Sequence, residues 1–266
     1  MTVQFPAVLP PLFTPSRFKD IHGGRDGGKS WGAAMALVEL GSTRKLLIVC
    51  ARETRESVQD SIHRSLCEKI EMLGMRDQWH IERQRIMHRH TGTEFIFRGL
   101  LNPDAIKSLE GCDICWIEEA QTMSEESWRK VIPTVRKPDS EIWLTWNPEL
   151  ETDPTWKHCV TDPEPGMIHI VMNYTDNPWA SEVLNPQREK MKRDDPDEFA
   201  HVYLGQPRRQ IAGAVYANEL RLVDEQGRVR KLTHQRGIPV MTGWDLGDGD
   251  FTAVWFIQAV QGQYRF

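Results

Sequence analysis

The feature that most constrains this chain is the segment GGRDGGKS at residues 23–30, which is followed directly by the apolar string WGAAMALVEL. Glycines at this spacing let consecutive backbone N–H groups turn towards an anion without a Cβ clash. The apolar string predicts a helix whose N-terminal end faces that anion. The pattern matches a P-loop at every fixed position. A glycine-rich turn that matches by chance is the alternative, and the position of the predicted helix favours the phosphate-binding loop.

Two positions of this loop carry the chemistry of a nucleotide site. Lys29 supplies positive charge to the β- and γ-phosphates, and the Ser30 hydroxyl is a ligand for Mg²⁺. Asp26 is unfavourable beside phosphates unless its carboxylate points outward or pairs with Arg25. We expect Arg25 to reach the γ-phosphate and act in catalysis, or only to pair with Asp26. The predicted nucleotide-binding residues are Gly23, Gly24, Arg25, Asp26, Gly27, Gly28, Lys29 and Ser30.

Apolar and amphipathic strings alternate along the chain. The apolar strings predict strands, and the strings with apolar residues every three or four positions predict helices. This alternation predicts an α/β fold with a doubly wound, mainly parallel sheet, whose functional loops follow the carboxyl ends of the strands. The predicted strands are 45–49, 94–100, 113–119, 141–147 and 167–173, and the predicted helices are 53–73, 124–132 and a string around 186–203.

Composition shifts predict four segments. Residues 1–15 are proline-rich and predict an N-terminal arm, and residues 16–210 hold the α/β domain. Residues 211–239 predict a linker, and two apolar strings around a Gly/Asp turn within 240–258 predict a hairpin at the start of a second domain.

Polar side chains follow two of the predicted strands. In CDICWIEEA, we assign Glu118 to the metal and Glu119 to positioning and deprotonating a water, with a solvated helix start as the alternative. The commoner order is Asp then Glu. In EIWLTWNPE, Thr145 and Asn147 are candidates to sense the γ-phosphate, or they form an ordinary exit from a strand into a turn.

Composition excludes some classes of protein. A net charge of −5 argues against a permanent nucleic-acid coat but permits local phosphate contacts. No apolar run reaches the ~18 residues of a membrane span, and the N-terminus lacks a secretory signal, so we expect a cytoplasmic protein. Cys112 and Cys115 form a CxxC without a second ligand pair, which favours core thiols over a zinc or redox site.

Four segments together resemble the large terminase subunit of tailed bacteriophages, the ATPase that packages DNA into a procapsid. They are GGRDGGKSW, IKSLEGCDICWIEEAQ, IPTVRKPDSEIWLTWNP and NYTDNP, and the resemblance covers residues 16–210. It implies an additional-strand, RecA-like P-loop motor that hydrolyses ATP and translocates DNA. In such a motor Lys29 and Ser30 would bind ATP·Mg²⁺, Glu118 the metal, and Glu119 would be the catalytic base. Thr145 and Asn147 would form the coupling motif.

The resemblance also implies partners. These are double-stranded DNA held through sequence-independent phosphate contacts, the portal protein, the small terminase subunit and further copies of the chain in a ring. No membrane is involved, and the site of action is the cytoplasm of the bacterial host.

The segment GWDLGDGDFTAVW at 243–255 resembles the first hairpin of the RNase H-like nuclease domain that such subunits carry. Asp245 and Asp250 would lie at one end of this hairpin and face one of two divalent metals, Mg²⁺ or Mn²⁺. A Gly/Asp turn without a metal is the alternative. A two-metal nuclease needs further carboxylates, and only 16 residues follow Asp250, so we expect a stub without endonuclease activity.

Two other functions compete with the motor. One is a nucleotide-binding regulatory or assembly module that does not translocate DNA. The other is a helicase-like DNA-dependent ATPase, which needs a second RecA-like lobe for which 266 residues leave no room.

Overall fold

The structure is a computed structural model that describes residues 4–54, 58–101, 106, 109–208, 223, 226–228, 233–245, 253–260 and 262–265. The chain divides into two units, Met1–Arg209 and Gln210–Phe266.

The first unit is built around one eight-stranded sheet. Its strands are β1 (Phe18–His22), β2 (Leu47–Arg52), β3 (Trp79–Ile81), β4 (Arg85–His88), β5 (Glu94–Gly99), β6 (Ile114–Glu118), β7 (Glu141–Trp146) and β8 (Ile168–Val171). They lie in the order β3-β4-β5-β2-β6-β7-β1-β8. Only the β3–β4 and β4–β5 pairs are antiparallel. The predicted mainly parallel sheet is therefore present.

Helices cover both faces of this sheet. They are α1 (Lys29–Thr43), α2 (Val58–Met72), α3 (Glu125–Thr134), α4 (Pro154–Trp156, continued by a π-helical turn Lys157–Thr161), α5 (Asn185–Asp194) and α6 (Pro196–Leu204). Successive residues of a strand point to opposite faces. Accordingly, Ile48 and Cys50 of β2 join a core with α1 and α2, whereas Val49 and Ala51 join a second core with α3. This two-sided burial is the doubly wound arrangement.

The order of the strands positions the polar residues at one edge. β7 lies between β1 and β6 and is parallel to both. It is the additional strand that separates the strand before the glycine-rich loop from the strand that ends in an acid. The carboxyl ends of β1, β2, β6 and β7 meet at the same edge, where His22, Arg52, Glu118 and Trp146 are the last strand residues.

Two features differ from the sequence-based expectations. The proline-rich segment is not an arm that stands apart: Leu9 and Leu12 are completely buried. Leu9 packs so closely on α1 that a Cβ at Gly32 would meet its Cδ1 at 2.0 Å. The helical string around 186–203 is two helices, because Pro196 begins α6 and Asp195 accepts a hydrogen bond from the N–H of Glu198 at 3.0 Å.

The cysteines are core thiols, as predicted. Cys50, Cys112, Cys115 and Cys159 are buried and Cys67 is half-buried, and all are free. Burial raises the pKa of Cys112 to about 11. Such a thiol does not ionise near neutral pH, and this argues against a redox or metal role for the CxxC pair.

The second unit contains an antiparallel sheet of β9 (Met241–Asp245), β10 (Ala253–Val260) and β11 (Gln263–Arg265) in the order β11-β10-β9. The predicted hairpin is present, with Asp245 of β9 opposite Ala253 of β10. Asp250 lies outside the described residues. The hairpin by itself does not identify an RNase H-like domain.

In the part of the chain that the structure describes, no helix is long and apolar enough to cross a membrane. The same residues contain no group of three or more His, Cys, Asp or Glu side chains arranged to hold a metal ion.

Candidate functional site

The glycine-rich loop presents free backbone donors at the start of α1. Gly28 precedes the helix in a left-handed conformation, with φ of 78°, and no side chain caps the helix. Within the described residues, the N–H groups of Gly27, Gly28, Lys29 and Ser30 donate to no protein acceptor. Unpaired N–H groups at a helix N-terminus form an anion site. The local backbone therefore fits a phosphate.

Lys29 is directed into the same loop. Its side chain is buried, and its Nζ donates to the carbonyl oxygens of Gly23 at 3.0 Å and Gly24 at 2.5 Å. Burial, together with the neighbouring charge of Arg25, lowers the pKa of Lys29 to about 7. A bound triphosphate would favour the charged ammonium. The amine therefore lies within the loop that carries the free N–H groups.

The outer side of the loop is held by the polypeptide between β8 and the end of α6. The N–H of Gly24 donates to Oδ1 of Asn173 at 2.8 Å, and the N–H of Arg25 donates to the carbonyl of Val202 at 2.6 Å. A Cβ at Gly24 would lie 2.1 Å from the carbonyl oxygen of Tyr203. No larger residue fits at this position without moving the backbone of α6.

Asp26 is paired across the loop. Its Oδ2 accepts hydrogen bonds from the guanidinium of Arg188 and from the N–H of Ser181, the latter at 3.1 Å. Its carbonyl accepts from Nδ2 of Asn177 at 2.7 Å. Arg25 is exposed. Of the two expected arrangements of Asp26, the pair with Arg25 is replaced by a pair with Arg188 of α5.

The acids at the end of β6 share one arginine. Nε and one terminal nitrogen of Arg52 donate to Oε2 of Glu118 at 2.9 and 2.6 Å, and its other terminal nitrogen lies 3.3 Å from Oε2 of Glu119. Glu119 has φ of 54°, and Asp26 has φ of 58°. Only one further non-glycine residue in the described chain has positive φ. This strained geometry is concentrated at the same edge, as is common at functional sites.

The two candidate coupling residues differ in their surroundings. Thr145 lies beside Glu118 in the sheet but is buried, and its Oγ1 accepts from Nε1 of Trp116 at 3.0 Å. Asn147 is half-buried just beyond the strand, and its N–H donates to Oε1 of Gln121 at 3.4 Å. Thr145 is therefore part of the core, whereas Asn147 lies at the carboxyl edge of the sheet.

A phosphate loop, an additional strand and a pair of acids thus occur together at one sheet edge, and residues 16–206 match the profile of the family described as phage terminase large subunit. The chain belongs to this family.

Individual terminases show the same relationship. The PBSX phage terminase large subunit of Bacillus subtilis (strain 168) is 27% identical over 148 residues, which are 54% of this chain and 34% of that protein. The terminase large subunit of Bacillus phage SPP1 is 24% identical over 245 residues, which are 86% of this chain and 57% of that protein. The chain therefore spans between a third and three fifths of the length of these relatives.

Solved terminase structures share the fold. The large terminase of a thermophilic bacteriophage, solved in complex with ADP, has a TM-score of 0.61 at 14% identity, covering 97% of this chain and 65% of that one. The ATPase domain of the Thermus phage P74-26 large terminase has a TM-score of 0.52 at 18% identity, covering 72% of this chain and 88% of that one.

The site of this terminase family member also fits Mg²⁺. Ser30 and Glu118 supply hydroxyl and carboxylate oxygens, which are the ligands that this ion prefers. β1 and β6 are separated by one strand, so their carboxyl ends lie about 10 Å apart across the sheet.

Sequence reasoning missed two residues of this terminase site. Arg52 lies three residues beyond the predicted strand 45–49 and is the last residue of β2. The rule that parallel strands finish at one edge is a signal that could have placed it beside Glu118. Arg188 carries no such signal, because it is one of several charged residues in α5. Asp245 lies in the other unit, Gln210–Phe266.

Proposed function

We propose that this chain is the ATP-hydrolysing motor of a phage terminase, which translocates double-stranded DNA into a procapsid. The observation that carries this proposal is the row of free N–H groups from Gly27 to Ser30, with the amine of Lys29 directed into the same loop. Membership in the terminase family supports the choice of DNA as the substrate that is moved.

The residues at the sheet edge divide the work of hydrolysis. The loop N–H groups and Lys29 would bind the phosphates, and Arg25 would contact the γ-phosphate. Ser30 and Glu118 would hold Mg²⁺, which neutralises charge on the phosphates when it is bound. Glu119 orients the attacking water and accepts its proton.

Movement of DNA requires that the state of the phosphates be sensed elsewhere. Asn147 is the proposed sensor, because it follows the additional strand between the loop strand and the acidic strand. Thr145 anchors that strand through Trp116. The proposed partners are double-stranded DNA, the portal protein, the small terminase subunit and other copies of the chain in a ring. The host cytoplasm is the proposed location.

The second unit is proposed to be the beginning of an RNase H-like nuclease domain. The antiparallel β9–β10 hairpin, with Asp245 at the end of β9, supports this assignment. Asp245 and Asp250 would then be ligands for Mg²⁺ or Mn²⁺, with further acids needed for cleavage.

ATP turnover in three variants, with and without double-stranded DNA, tests the motor. We expect Lys29→Ala to lose both binding and turnover, because the loop loses its cation. We expect Glu119→Gln to bind ATP as the wild type does but to lose turnover by a factor of 100 or more, within the range of a missing general base (~10²–10⁴). Glu149→Gln, an exposed acid on a neighbouring loop, is the matched control.

A wild-type protein that binds ATP but never hydrolyses it, even with DNA and portal protein present, would show a regulatory or assembly module instead of a motor.

A further inference from the structure

The phosphate loop contains one negative charge, and this charge lies close to the proposed ligand. Asp26 is two residues from Gly28, so their Cα atoms are at most about 7 Å apart. That separation is shorter than the Debye length of about 8 Å at physiological salt, so solvent ions screen the interaction only weakly. A bare carboxylate at this position would repel a triphosphate.

The structure shows how this charge is compensated. The guanidinium of Arg188 is 3% exposed and donates to Oδ2 of Asp26. A second nitrogen of Arg188 donates to the carbonyl of Ser181 at 3.1 Å and to Oδ1 of Asn185 at 2.7 Å. The same group lies over the ring of Tyr174, 4.6 Å from its centroid. Such contacts fix the cation far more firmly than a surface ion pair.

The backbone of Asp26 turns the carboxylate towards this cation. Its φ of 58° is the left-handed conformation, which Asp and Asn tolerate better than other residues with a Cβ. The N–H of Ser181 donates to the same carboxylate oxygen. Ser181 and Arg188 both lie outside residues 23–30, so the carboxylate is engaged by groups that do not belong to the loop.

We propose that Arg188 is a positioning residue for nucleotide binding, which neutralises Asp26 and holds it outside the phosphate site. This inference rests on the proposed nucleotide site. Arg188 acts on ATP affinity through Asp26 and makes no contact with phosphate itself. Its removal releases a negative charge into the loop, and removal of that charge as well should restore binding.

A double-mutant cycle measured by calorimetry with ATPγS·Mg²⁺ tests the proposal. We expect Arg188→Gln to bind at least tenfold more weakly than the wild type, with a stronger dependence on salt. The Asp26→Asn/Arg188→Gln variant should recover to within about threefold of the wild type. Asp26→Asn alone should bind within threefold, because Asn keeps the left-handed backbone. Arg193→Gln, an exposed arginine of the same helix, should change nothing.

A purely structural role for Arg188 predicts a different pattern. Lost packing on Tyr174 would not be repaired by Asp26→Asn, so an unrecovered double variant overturns the proposal. Arg188→Lys keeps the charge and should bind within about threefold. Thermal unfolding reports whether each variant folds. If Arg188→Gln does not fold, Arg188→Lys takes its place in the test. A tenfold loss of affinity in Arg188→Lys that Asp26→Asn fails to reverse would then overturn the proposal.

Failure of the nucleotide site itself gives a separate result. If the wild type binds no ATPγS, the proposed site falls and this inference falls with it. If the wild type binds, Lys29→Ala does not, and Arg188→Gln binds as the wild type does, only the role of Arg188 is overturned.

Discussion

When no nucleotide is bound, Lys29 donates hydrogen bonds to carbonyl groups of its own loop. The buried position of its amine disfavours the charged form. Burial lowers its pKa to about 7. At pH 8, above that value, the neutral amine predominates in the empty loop. Phosphates bind the ammonium form. Nucleotide binding at this pH must therefore bring a proton with it.

We expect ATP binding at pH 8 to take up about one proton per chain, and its affinity to fall as the pH rises above 7. Calorimetry in two buffers of different ionisation enthalpy measures this uptake. Lys29→Arg is the control, because a guanidinium stays charged throughout this range. Equal heats in the two buffers for the wild type would show that Lys29 is already charged in the empty loop.

Arg52 compensates the negative charges of Glu118 and Glu119. Its side chain is 9% exposed and that of Glu118 is 12% exposed. Removal of the arginine leaves a nearly buried carboxylate unpaired, which typically costs about 3–5 kcal/mol. We expect Arg52→Ala to lower the free energy of unfolding by about 3 kcal/mol in urea titrations. Arg85→Ala breaks an exposed pair with Glu82 and should cost less than about 1 kcal/mol. Equal losses would contradict this account of Arg52.

At the scale of elements, one buried carboxylate joins three neighbouring strands. Asp20 of β1 accepts hydrogen bonds from His22 of its own strand at 2.8 Å, from Trp146 of β7 at 2.6 Å and from His169 of β8 at 3.1 Å. Burial alone would raise the pKa of Asp20, but these hydrogen bonds outweigh it and lower the pKa. β1 leads into the phosphate loop and Trp146 precedes Asn147, so Asp20 connects the two.

This connection predicts a dependence of stability on pH. The hydrogen bond to Asp20, which outweighs desolvation, raises the pKa of His169 above 6.5. When folding raises the pKa of a histidine, its protonated form stabilises the fold. This stabilisation is complete at a pH below the pKa of the unfolded state, and it is lost as the pH rises through the pKa of the folded state. We expect the wild type to lose stability relative to His169→Gln as the pH rises from 6 to 8, measured by urea unfolding. Parallel pH profiles for the two proteins would contradict this.

The sequence predicts some of these elements better than others. Continuous apolar strings such as EIWLTW identify strands that are buried on both faces. FKDIH, which is β1, was not predicted because Lys19 and Asp20 interrupt the apolar pattern. Both are buried, with Lys19 paired to Glu141 at 2.7 Å. The partners of Arg52 and Arg188 are 66 and 162 residues away in the chain, and no local pattern reports contacts of that kind.

At the scale of the whole molecule, the proposed ATP site lies within one unit. The loop, the acids, Asn147 and Arg188 all fall inside Met1–Arg209. We expect a chain cut after residue 209 to bind ATPγS within about threefold of the full chain and to unfold in one cooperative transition. A matched cut after residue 180 removes α5 and α6 and should abolish binding. Loss of binding in the longer truncation would show that the second unit contributes to the site.

At Glu119 the proposed catalytic role and thermal stability favour different residues. An L-residue with a Cβ in the left-handed region is less stable than glycine there by about 1–2 kcal/mol. A laboratory selection that rewards only resistance to heat should therefore enrich Glu119→Gly, whereas a selection that rewards packaged genomes should discard it. The presence of Glu119 at a position where glycine would be more stable is expected when the residue is maintained for its chemistry.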